Sequence, residues 1–524
     1  MTAPLAGPAP GQPTLPFDPE EPFALIRRGS EPLVEVLQGR IQDVPTTADI
    51  PLEGQAVLCV VPFRQIAERG FEVVDDAAPL RCLIVTKRTQ VPVKELLAAL
   101  PGQAPHFQAQ GFDISDEEYA GQVKAVIDQE IGQGEGANFV LHRSFRGTVE
   151  GAPAQAALAW WAALGRGEQG AYWTYAVHLG DLTFAGASPE RHLTIKSGVV
   201  TMNPISGTYR HPPEGATVDG LLSFLTDAKE VDELFMVVDE ELKLMSAICP
   251  SGGRVIGPYV KPMSHVTHTE YLLEGLAESD PREVLRRTMF APTVTGSPME
   301  NACAVIARRE GRPRGYYAGV MALFEPGPGG LWDLDAPILI RTAYVDPAGQ
   351  VSVPAGATLV RHSDPAAEVA ETRTKAAGVL TAIGALPPLP ANPLAPDAAP
   401  SFQPTVQPSA QPSAQPSDQP AGQPEPQSSV WEDPQVKATL MYRNERLAPF
   451  WLRPQAGGGT PLAGMNVTIV DAADHFSQML AHQLRRLGAQ ARVIGWADYS
   501  PGSEDLVIPG PGPGDPSGAE PRVE

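Results

Sequence analysis

The chain has little cysteine and no long apolar run. Its four cysteines, at positions 59, 82, 249 and 303, lack metal-ligand spacing, which is typical of a protein in a reducing cytoplasm. No apolar stretch approaches the roughly 20 residues that span a bilayer. The N-terminus is rich in proline and has no basic residues ahead of an apolar core, so it does not read as a signal peptide. We therefore expect a cytoplasmic protein without a membrane partner.

Positive charge is also scarce. The sequence has 39 Lys and Arg against 61 Asp and Glu, a formal net charge of −22. A field of this sign repels nucleic acids and anionic membranes, so neither is an expected partner. It equally repels an anionic substrate, so a site for one requires local arginine, backbone donors or a metal ion.

A change of composition divides the chain. Residues 387–429 consist largely of Pro, Gln, Ala and Ser in an approximate four-residue repeat. Such a segment lacks the apolar side chains that would offset the entropy of ordering. We predict a disordered N-terminus over 1–15, a large domain over 16–384, a flexible linker over 385–429 and a smaller domain over 430–524.

Segregated helices and strands predict an α+β fold for the large domain. Strands are expected at GVVTM, RVIGPYV, APILIRTAYV and GQVSV. One helix is predicted from Thr226 to about Ala247, and another from Asp364, with Pro365 at its first position, to Gly384. Each helix carries two glutamates three residues apart, on one face: Glu230 and Glu233, then Glu368 and Glu371.

The smaller domain begins with a strand, an amphipathic helix and a second strand, from MNVTIVDAADHF to ARVIGW. A further apolar run, DLVIPGPGPGDP, leads into a glycine-rich loop. This alternation predicts a partial α/β, flavodoxin-like domain.

Six short motifs follow one another between Phe184 and Ala376. They read FAGASPERHL, NPISGTYR, KEVDELFMVVDEEL, APTVTGSPMENA, ILIRTAYVD and DPAAEVAETRTKA. In this order they resemble the chorismate-utilising enzymes, the family of anthranilate, isochorismate and salicylate synthases. The spellings PISGTYR, TVTGSP and TLVRHSDP look most like the phenazine-pathway 2-amino-2-deoxyisochorismate (ADIC) synthases. The resemblance implies the chorismate-binding, anthranilate synthase-like α+β fold and chorismate as the substrate.

The two glutamate pairs are candidates for a metal site. Mg²⁺ prefers one or two direct carboxylates plus water and substrate oxygens, although acidic pairs on helices are more often solvated faces. The resemblance implies that Glu233 and Glu371 hold Mg²⁺ against the substrate carboxylate, with Glu230 and Glu368 as outer partners.

Two residues are candidates for chemistry at the ring hydroxyl that leaves. Glu190 follows an apolar strand, where desolvation can raise the pKa of a carboxyl group, and the resemblance implies that it is the general acid. His268 matches the family histidine near the leaving groups. His265 lies on the same predicted strand face, so periodicity does not separate the two, and the family pattern favours His268.

The substrate carboxylates need donors. Arg341 offers a planar fork suited to a carboxylate and resembles the family's enolpyruvyl clamp, with Tyr317 nearby. Thr293 is a candidate hydroxyl contact at the ring. A predicted turn at GATLV would direct backbone N–H groups to the ring carboxylate, from Gly356, Ala357 and Thr358, the last of which replaces a second glycine common in the family.

The nucleophile separates the branches of the family. Isochorismate and salicylate synthases resemble one another in a water-activating lysine, and Asn138 stands at that position here. An amide is not a general base, whereas unprotonated ammonia needs none. The sequence therefore favours amination, with ammonia as the second reactant.

We expect Mg²⁺-dependent amination of chorismate to ADIC in phenazine-type secondary metabolism. The alternative is anthranilate synthase, which makes the same intermediate and then eliminates pyruvate. A second alternative is a catalytically silent, chorismate-binding scaffold. A homodimer is expected.

The smaller domain resembles the first third of a class I glutamine amidotransferase. Its glycine loop, with Gly512 and Gly514, matches the family loop that supplies an oxyanion-stabilising amide. The nucleophilic cysteine of that family lies on a later elbow, and no cysteine follows Cys303 in this sequence. Ammonia would then come from an intact amidotransferase domain or subunit.

The chain as given is expected to use ammonium salts but not glutamine. Glutamine hydrolysis in that family passes through a cysteine thioester, which the smaller domain cannot form. Turnover of chorismate by the purified chain with each nitrogen source measures this. Glutamine-dependent turnover without an added amidotransferase would contradict it.

Overall fold

The computed structural model describes residues 15–100, 104–212, 215–250, 252–264, 266–387, 430–453, 460–472, 474 and 476–512. Residues 1–14 and 388–429, which hold most of the predicted tail and linker, lie outside this part of the chain, as do His265 and Gly514. None of the described helices is both long and apolar enough to cross a lipid bilayer.

The described residues contain 21 strands. Their bounds are β1 Phe23–Arg28, β2 Leu33–Val44, β3 Val57–Val61, β4 Leu80–Pro92, β5 Phe107–Phe112, β6 Asn138–Val149, β7 Trp173–Leu179, β8 Leu182–Ser188, β9 Arg191–Lys196, β10 Val199–Met202, β11 Ile205–Arg210, β12 Gly253–Pro262, β13 Val266–Leu276, β14 Gly296–Ser297, β15 Val320–Pro326, β16 Trp332–Pro337, β17 Thr342–Val345, β18 Gln350–Val360, β19 Asn466–Asp471, β20 Gln490–Gly495 and β21 Leu506–Pro509.

Eleven α-helices lie in the same described ranges. Their bounds are α1 Val93–Ala99, α2 Asp116–Gln129, α3 Pro153–Gly167, α4 Val218–Thr226, α5 Ala228–Ile248, α6 Pro281–Thr288, α7 Met299–Glu310, α8 Pro365–Ala382, α9 Pro434–Tyr442, α10 Pro449–Leu452 and α11 Phe476–Arg486.

The strands of the large domain form one continuous series of antiparallel pairings. The series runs β5–β6–β18–β17–β8–β7–β1–β2–β4–β3–β15–β16–β9–β10–β13, with β11 and β12 also paired to β13 and β14 to β6. Helices cover this antiparallel system rather than alternating with its strands. The predicted α+β class is confirmed for the large domain.

Both predicted helices with glutamate pairs are present. The helix α5 begins one residue after its N-cap Asp227, whose side chain accepts a hydrogen bond from the backbone N–H of Glu230 at 3.1 Å. The helix α8 begins at Pro365, and the carboxylate of Asp364 accepts from the N–H of Ala367 at 2.8 Å. Each cap fixes the first turn, which carries Glu230 in α5 and Glu368 in α8, and Glu233 and Glu371 follow one turn later.

Two predicted strand features were wrong. APILIRTAYV is not one strand, because it is interrupted between β16 and β17, where Arg341 has φ +54°. GATLV is not a turn, because Gly356–Val360 is the end of β18, paired residue by residue with β6. The long-range pairing with β6 overrides the local turn preference of glycine.

The smaller domain shows the predicted α/β arrangement. The strands β20, β19 and β21 form a parallel sheet in that order, and α11 connects β19 to β20. Gly510 and the exposed Gly512 follow β21 at its carboxyl end, as the sequence pattern indicated.

Residues 430–453 precede that parallel sheet in sequence, but they also pack against the large domain. The helix α9 packs on α4 of the large domain, with Trp431, Val436 and Leu440 in one apolar cluster with Leu221 and Phe224. We call residues 430–453 the C-terminal strap. It follows the predicted linker in sequence but contacts the large domain in space.

Candidate active site

One cavity of the large domain collects most of the candidate residues. It lies between β6, β11, β13 and β18 and the first turn of α5. Its lining consists of Val140, Pro189, Glu190, Ile205, Ser206, Gly207, Thr208, Glu233, His268, Thr293, Val294, Tyr317, Ile340, Arg341, Pro354, Ala355, Gly356, Thr358 and Lys375.

A bulge in β11 holds the glutamates of α5. The pairing of β11 with β13 shifts between Ser206 and Tyr209, and Gly207 within the shift has φ +74°. A Cβ at Gly207 would lie 2.5 Å from Oε2 of Glu230, so only glycine permits this approach. The hydroxyl of Ser206 donates to Oε1 of Glu233 at 2.9 Å, and the N–H of Thr208 donates to Oε2 of Glu230 at 3.2 Å. The motif PISGTYR thus positions both carboxylates.

A lysine lies at the centre of the four predicted metal-binding glutamates. The Nζ atom of Lys229 is 3.3 Å from Glu230, 2.8 Å from Glu233, 3.8 Å from Glu368 and 3.7 Å from Glu371. We call these four glutamates the carboxylate cluster. The structure therefore brings together all four predicted residues, from two helices distant in sequence, around one ammonium group.

The cluster carries more negative charge than its cations balance. Burial, and then the repulsion of Glu233, raises the pKa of Glu230, and burial followed by Glu371 raises that of Glu368. Burial lowers the pKa of Lys229, but the surrounding carboxylates outweigh this and raise it overall. Lys229 is therefore a protonated resident counter-ion.

These residues fit a divalent cation electrostatically. Among the described residues, no group of three or more His, Cys, Asp or Glu side chains is arranged as it stands to hold a metal ion. Oε2 of Glu368 is nevertheless buried without a hydrogen-bond partner among the described residues. The four glutamates offer only oxygen donors, the ligand type that Mg²⁺ prefers, although the Lys229 ammonium lies among them in this structure.

Two further cations face the cavity. Lys375 is half-buried, with 21% of its side chain exposed, and lies 2.6 Å from Glu371, one helical turn earlier on α8. Burial lowers the pKa of Lys375, yet the attraction of Glu371 and Glu233 raises it overall, so the side chain remains an ammonium. For Glu371 burial acts to raise the pKa, but Lys375 and Lys229 lower it overall.

Arg341 is the other cation. No ion pair within 4.0 Å joins its guanidinium to any carboxylate in the described ranges, and burial lowers its pKa. Its left-handed backbone is unusual for a residue other than glycine and lies at the break between β16 and β17. A desolvated and unpaired guanidinium at a cavity wall is suited to an anionic ligand.

Glu190 is 4% exposed and lies directly after β8. Its Oε1 has no hydrogen-bond partner among the described residues, and burial raises its pKa to about 7. The backbone N–H of Ile338 donates to the Glu190 carbonyl at 3.1 Å, which ties this residue to the chain segment that ends at Arg341. A carboxyl group with this pKa carries a proton near neutrality and is able to donate it.

His268 presents one ring nitrogen to the cavity. Its Nδ1 donates to the carbonyl of Gly207 at 2.6 Å, while Nε2 is buried without a described partner. Burial is the main reason that the pKa of His268 falls to about 3, and repulsion by Arg341 adds to the effect. The imidazole is therefore neutral and weakly basic at pH 7.

A buried ionic network fixes Tyr317 in the wall. Glu310 accepts from both Nε and Nη2 of Arg314, at 3.0 and 2.7 Å, and lies 2.9 Å from Nδ1 of His142. The His142 ring stacks on Tyr317 with centroids 4.8 Å apart. A Cβ at Gly356 would lie 2.4 Å from the Tyr317 hydroxyl, so this glycine makes room for it.

The comparisons with known proteins agree on one family. A family model described as chorismate binding enzyme matches residues 78–381, which include every lining residue of the cavity. The chain belongs to the chorismate binding enzyme family. It is accordingly an enzyme that acts on chorismate.

Two chorismate binding relatives match nearly the whole chain. Both are named "Anthranilate synthase, phenazine specific". The one from Pseudomonas chlororaphis is 44% identical over 511 residues, covering 95% of this chain and 74% of the relative. The one from Pseudomonas fluorescens is 43% identical over 519 residues, covering 96% of this chain and 75% of the relative.

Solved structures support the chorismate-binding fold. A putative 2,3-dihydroxybenzoate-specific isochorismate synthase from Bacillus anthracis has a TM-score of 0.57 at 20% identity, over 70% of this chain and 97% of that one. Anthranilate synthase component I from Streptococcus pneumoniae has a TM-score of 0.53 at 21% identity, over 72% and 94%. At these identities the likeness concerns the fold.

Within this chorismate binding fold, most predicted site residues reach the cavity. Eight of them line it: Glu190, Glu233, His268, Thr293, Tyr317, Arg341, Gly356 and Thr358. Glu230, Glu368 and Glu371 join it through the carboxylate cluster. His265 and Gly514 lie outside the described residues.

Two residues that were predicted to contact the substrate do not line the cavity. Ala357 points into an apolar cluster with Leu141 and Leu359, since alternate residues of β18 face opposite sides. Asn138 is fully buried on β6, two residues before Val140 of the lining, and neither polar atom of its amide has a described partner. The expected backbone donors therefore come from a strand rather than a turn.

Two lysines were missed by the sequence argument. Lys229 stands four residues before Glu233, and Lys375 stands four residues after Glu371. Pairs at this spacing share a helix face, so the helical periodicity that located the glutamates also contained the signal for both lysines.

Glu190 is expected to keep its proton up to about pH 7. A raised carboxyl pKa means that the acid form persists near neutrality and is lost as pH rises through the folded-state value. Difference infrared spectroscopy between pH 5 and 9, with Glu190→Gln as control, measures this titration. A carboxyl signal that disappears near the ordinary value of about 4.3 would contradict the assignment.

Proposed function

We propose that the chain aminates chorismate to ADIC, with Mg²⁺ as cofactor and ammonia as nucleophile. The observation that carries this proposal is the composition of the cavity wall. It joins an acid with a pKa of about 7 to the unpaired guanidinium of Arg341 and the ammonium of Lys375, and supplies no second side chain suited to activating water. The phenazine-specific names of the two relatives support the same activity.

The two carboxylates of the substrate would bind at different places in the cavity. One would bind at the cationic side chains, and the other would face the Mg²⁺ held by the carboxylate cluster. Arg341 and the Tyr317 hydroxyl would bind the enolpyruvyl carboxylate, where a planar fork gains most from a carboxylate. Mg²⁺ bound by Glu233 and Glu371 would supply a positive charge opposite the ring carboxylate. Lys375 and the backbone of Gly356 lie where they could add donors to that end.

Glu190 would protonate the ring hydroxyl as it leaves. Ammonia attacks the ring carbon next to the one that bears the carboxylate, both ring double bonds shift by one position, and the C–O bond to the hydroxyl breaks. The hydroxyl takes the proton of Glu190 and departs as water, while the attacking nitrogen loses one proton to solvent and becomes a neutral amine. The Thr293 hydroxyl, buried without a described partner, is available to hydrogen-bond at the ring.

Water would be a poorer nucleophile than ammonia in this cavity, because no side chain is suited to remove its proton. Lys375 is held protonated by Glu371, and His268 is too weakly basic to remove a proton efficiently at neutral pH. Asn138, which by resemblance stands at the position of the water-activating lysine of isochorismate and salicylate synthases, carries an amide in place of an amine. Unprotonated ammonia attacks without such help.

Anthranilate synthase is the second candidate, favoured by the word "anthranilate" in both relatives' names. It requires a base that removes the ring proton as enolpyruvate leaves. His268 presents its free Nε2 to the cavity, but its lowered pKa makes it weak in this role. The geometry therefore supports a halt at ADIC.

The smaller domain would belong to a class I glutamine amidotransferase. Its parallel order and the glycine loop after β21 support this, while the chain as given has no cysteine in this region. Ammonia would reach the chorismate site from an intact amidotransferase domain or subunit.

Glu233→Gln and Glu371→Gln are each expected to lower kcat/KM by at least about a hundredfold, equivalent to roughly 3 kcal/mol of lost electrostatic stabilisation. Each change removes one charge without changing size. Steady-state rates over a Mg²⁺ series measure the effect, and Asp239→Asn, on a half-exposed residue of the same helix, is the control. Normal Mg²⁺ dependence in both variants would place the metal elsewhere.

The accumulating product is expected to be ADIC, with anthranilate and pyruvate as traces. A lactate dehydrogenase coupling assay reads pyruvate during turnover with chorismate, Mg²⁺ and ammonium. Pyruvate released in step with chorismate consumption would assign anthranilate synthase instead. Isochorismate as the main product would refute the argument from Asn138.

A further inference from the structure

The C-terminal strap places a buried arginine behind the carboxylate cluster. Arg443 lies in the strap, beyond the predicted linker, and is 4% exposed. Its Nη2 donates to the Leu225 carbonyl at 2.9 Å and its Nη1 to the Thr269 hydroxyl at 3.2 Å. Its Nε has no partner in the described ranges, and no carboxylate there lies within ion-pairing distance.

A buried guanidinium without a carboxylate partner is costly unless something nearby compensates its charge. Burial lowers the pKa of Arg443, while Tyr271 and then Glu230, a member of the carboxylate cluster, act in the opposite direction and favour its charged form. The guanidinium is therefore coupled electrostatically to the cluster as well as through hydrogen bonds.

A short chain of hydrogen bonds leads from Arg443 to Glu233. The hydroxyl of Thr269 accepts from Arg443 and donates to the Ser206 carbonyl at 2.9 Å. The hydroxyl of Ser206 donates to Oε1 of Glu233 at 2.9 Å. Ser206 lies at the start of the β11 bulge, so Arg443 supports the segment that orients this carboxylate.

Residues next to Arg443 also fix the strap to the large domain. The amide of Asn444 donates to the Gly257 carbonyl at 2.9 Å and accepts from the Tyr271 hydroxyl at 3.1 Å. On the solvent side, Arg446 pairs with Asp232 at 3.1 Å and is 54% exposed. Buried and exposed anchors thus lie three residues apart, which gives a matched pair for mutagenesis.

We propose that Arg443 is a positioning residue for the carboxylate cluster, acting through Thr269 and Ser206 on Glu233. The C-terminal strap is then a working part of the chorismate site, although the predicted linker separates it from the large domain in sequence. The inference rests on the proposed function, because it assigns the strap a role in the Mg²⁺ affinity of that site.

Isothermal titration of Mg²⁺ into the full chain, together with ammonium-dependent steady-state rates, tests the proposal. Arg443→Met is expected to weaken Mg²⁺ binding by about tenfold and to lower kcat, while Arg446→Met stays within about twofold of wild type. Thr269→Val is expected to weaken Mg²⁺ binding in the same direction. The double variant should be no worse than Arg443→Met, because both changes break one chain of bonds.

Arg443→Lys is expected to recover part of the affinity, since it restores the charge and one donor. Hydrogen exchange in residues 205–210 should quicken in Arg443→Met and not in Arg446→Met. Should Arg443→Met fail to fold, Thr269→Val carries the same test with a smaller change.

Unchanged Mg²⁺ affinity in Arg443→Met or Thr269→Val, with only a lower melting temperature, would show a purely structural anchor and overturn the proposal. Additive losses in the double variant would also overturn it. A wild-type chain that neither binds Mg²⁺ nor consumes chorismate with ammonium would instead defeat the proposed function, and so the two failures are distinguishable.

Discussion

Excess buried negative charge is the constraint around which the active site is organised. The carboxylate cluster joins the first two turns of two helices that lie more than a hundred residues apart in the sequence. Without cations these carboxylates would repel one another in a poorly solvated place, which costs several kcal/mol per uncompensated charge. Lys229 and Lys375 meet part of this demand. The unmet part is what the proposed Mg²⁺ would balance, and a bound dication would help an acidic chain to bind an anionic substrate.

The same charges set the states of the neighbouring groups. Glu371 keeps Lys375 protonated, and Lys375 with Arg341 helps to keep His268 neutral. Glu190 sits in a separate, desolvated corner where burial keeps a proton on it near neutrality. The site therefore has an acid and no good base, a combination that favours a nucleophile needing no activation. This is the physical link between the fold and the proposed use of ammonia rather than water.

Periodicity and caps predicted the parts of the site that lie on helices. Two such features are the spacing of Glu230 and Glu233 and the start of α8 at Asp364–Pro365. Both depend on residues close in sequence, so tertiary packing does not change them. The strand features were less predictable, because Arg341 sits at a break and Gly356 in a strand for reasons that depend on β6 and β8, far away in sequence. The contacts that Arg443 of the strap makes could not be predicted from the sequence for the same reason. No local pattern indicates that a segment after a low-complexity linker returns to the first domain.

Turnover of chorismate with ¹⁵N-ammonium and Mg²⁺, followed by mass spectrometry of the product, tests the central claim most directly. The account predicts a product that contains one ¹⁵N, retains the enolpyruvyl group and has lost the ring hydroxyl as water. A product without nitrogen, with chorismate consumed, would show that water is the nucleophile and contradict the account.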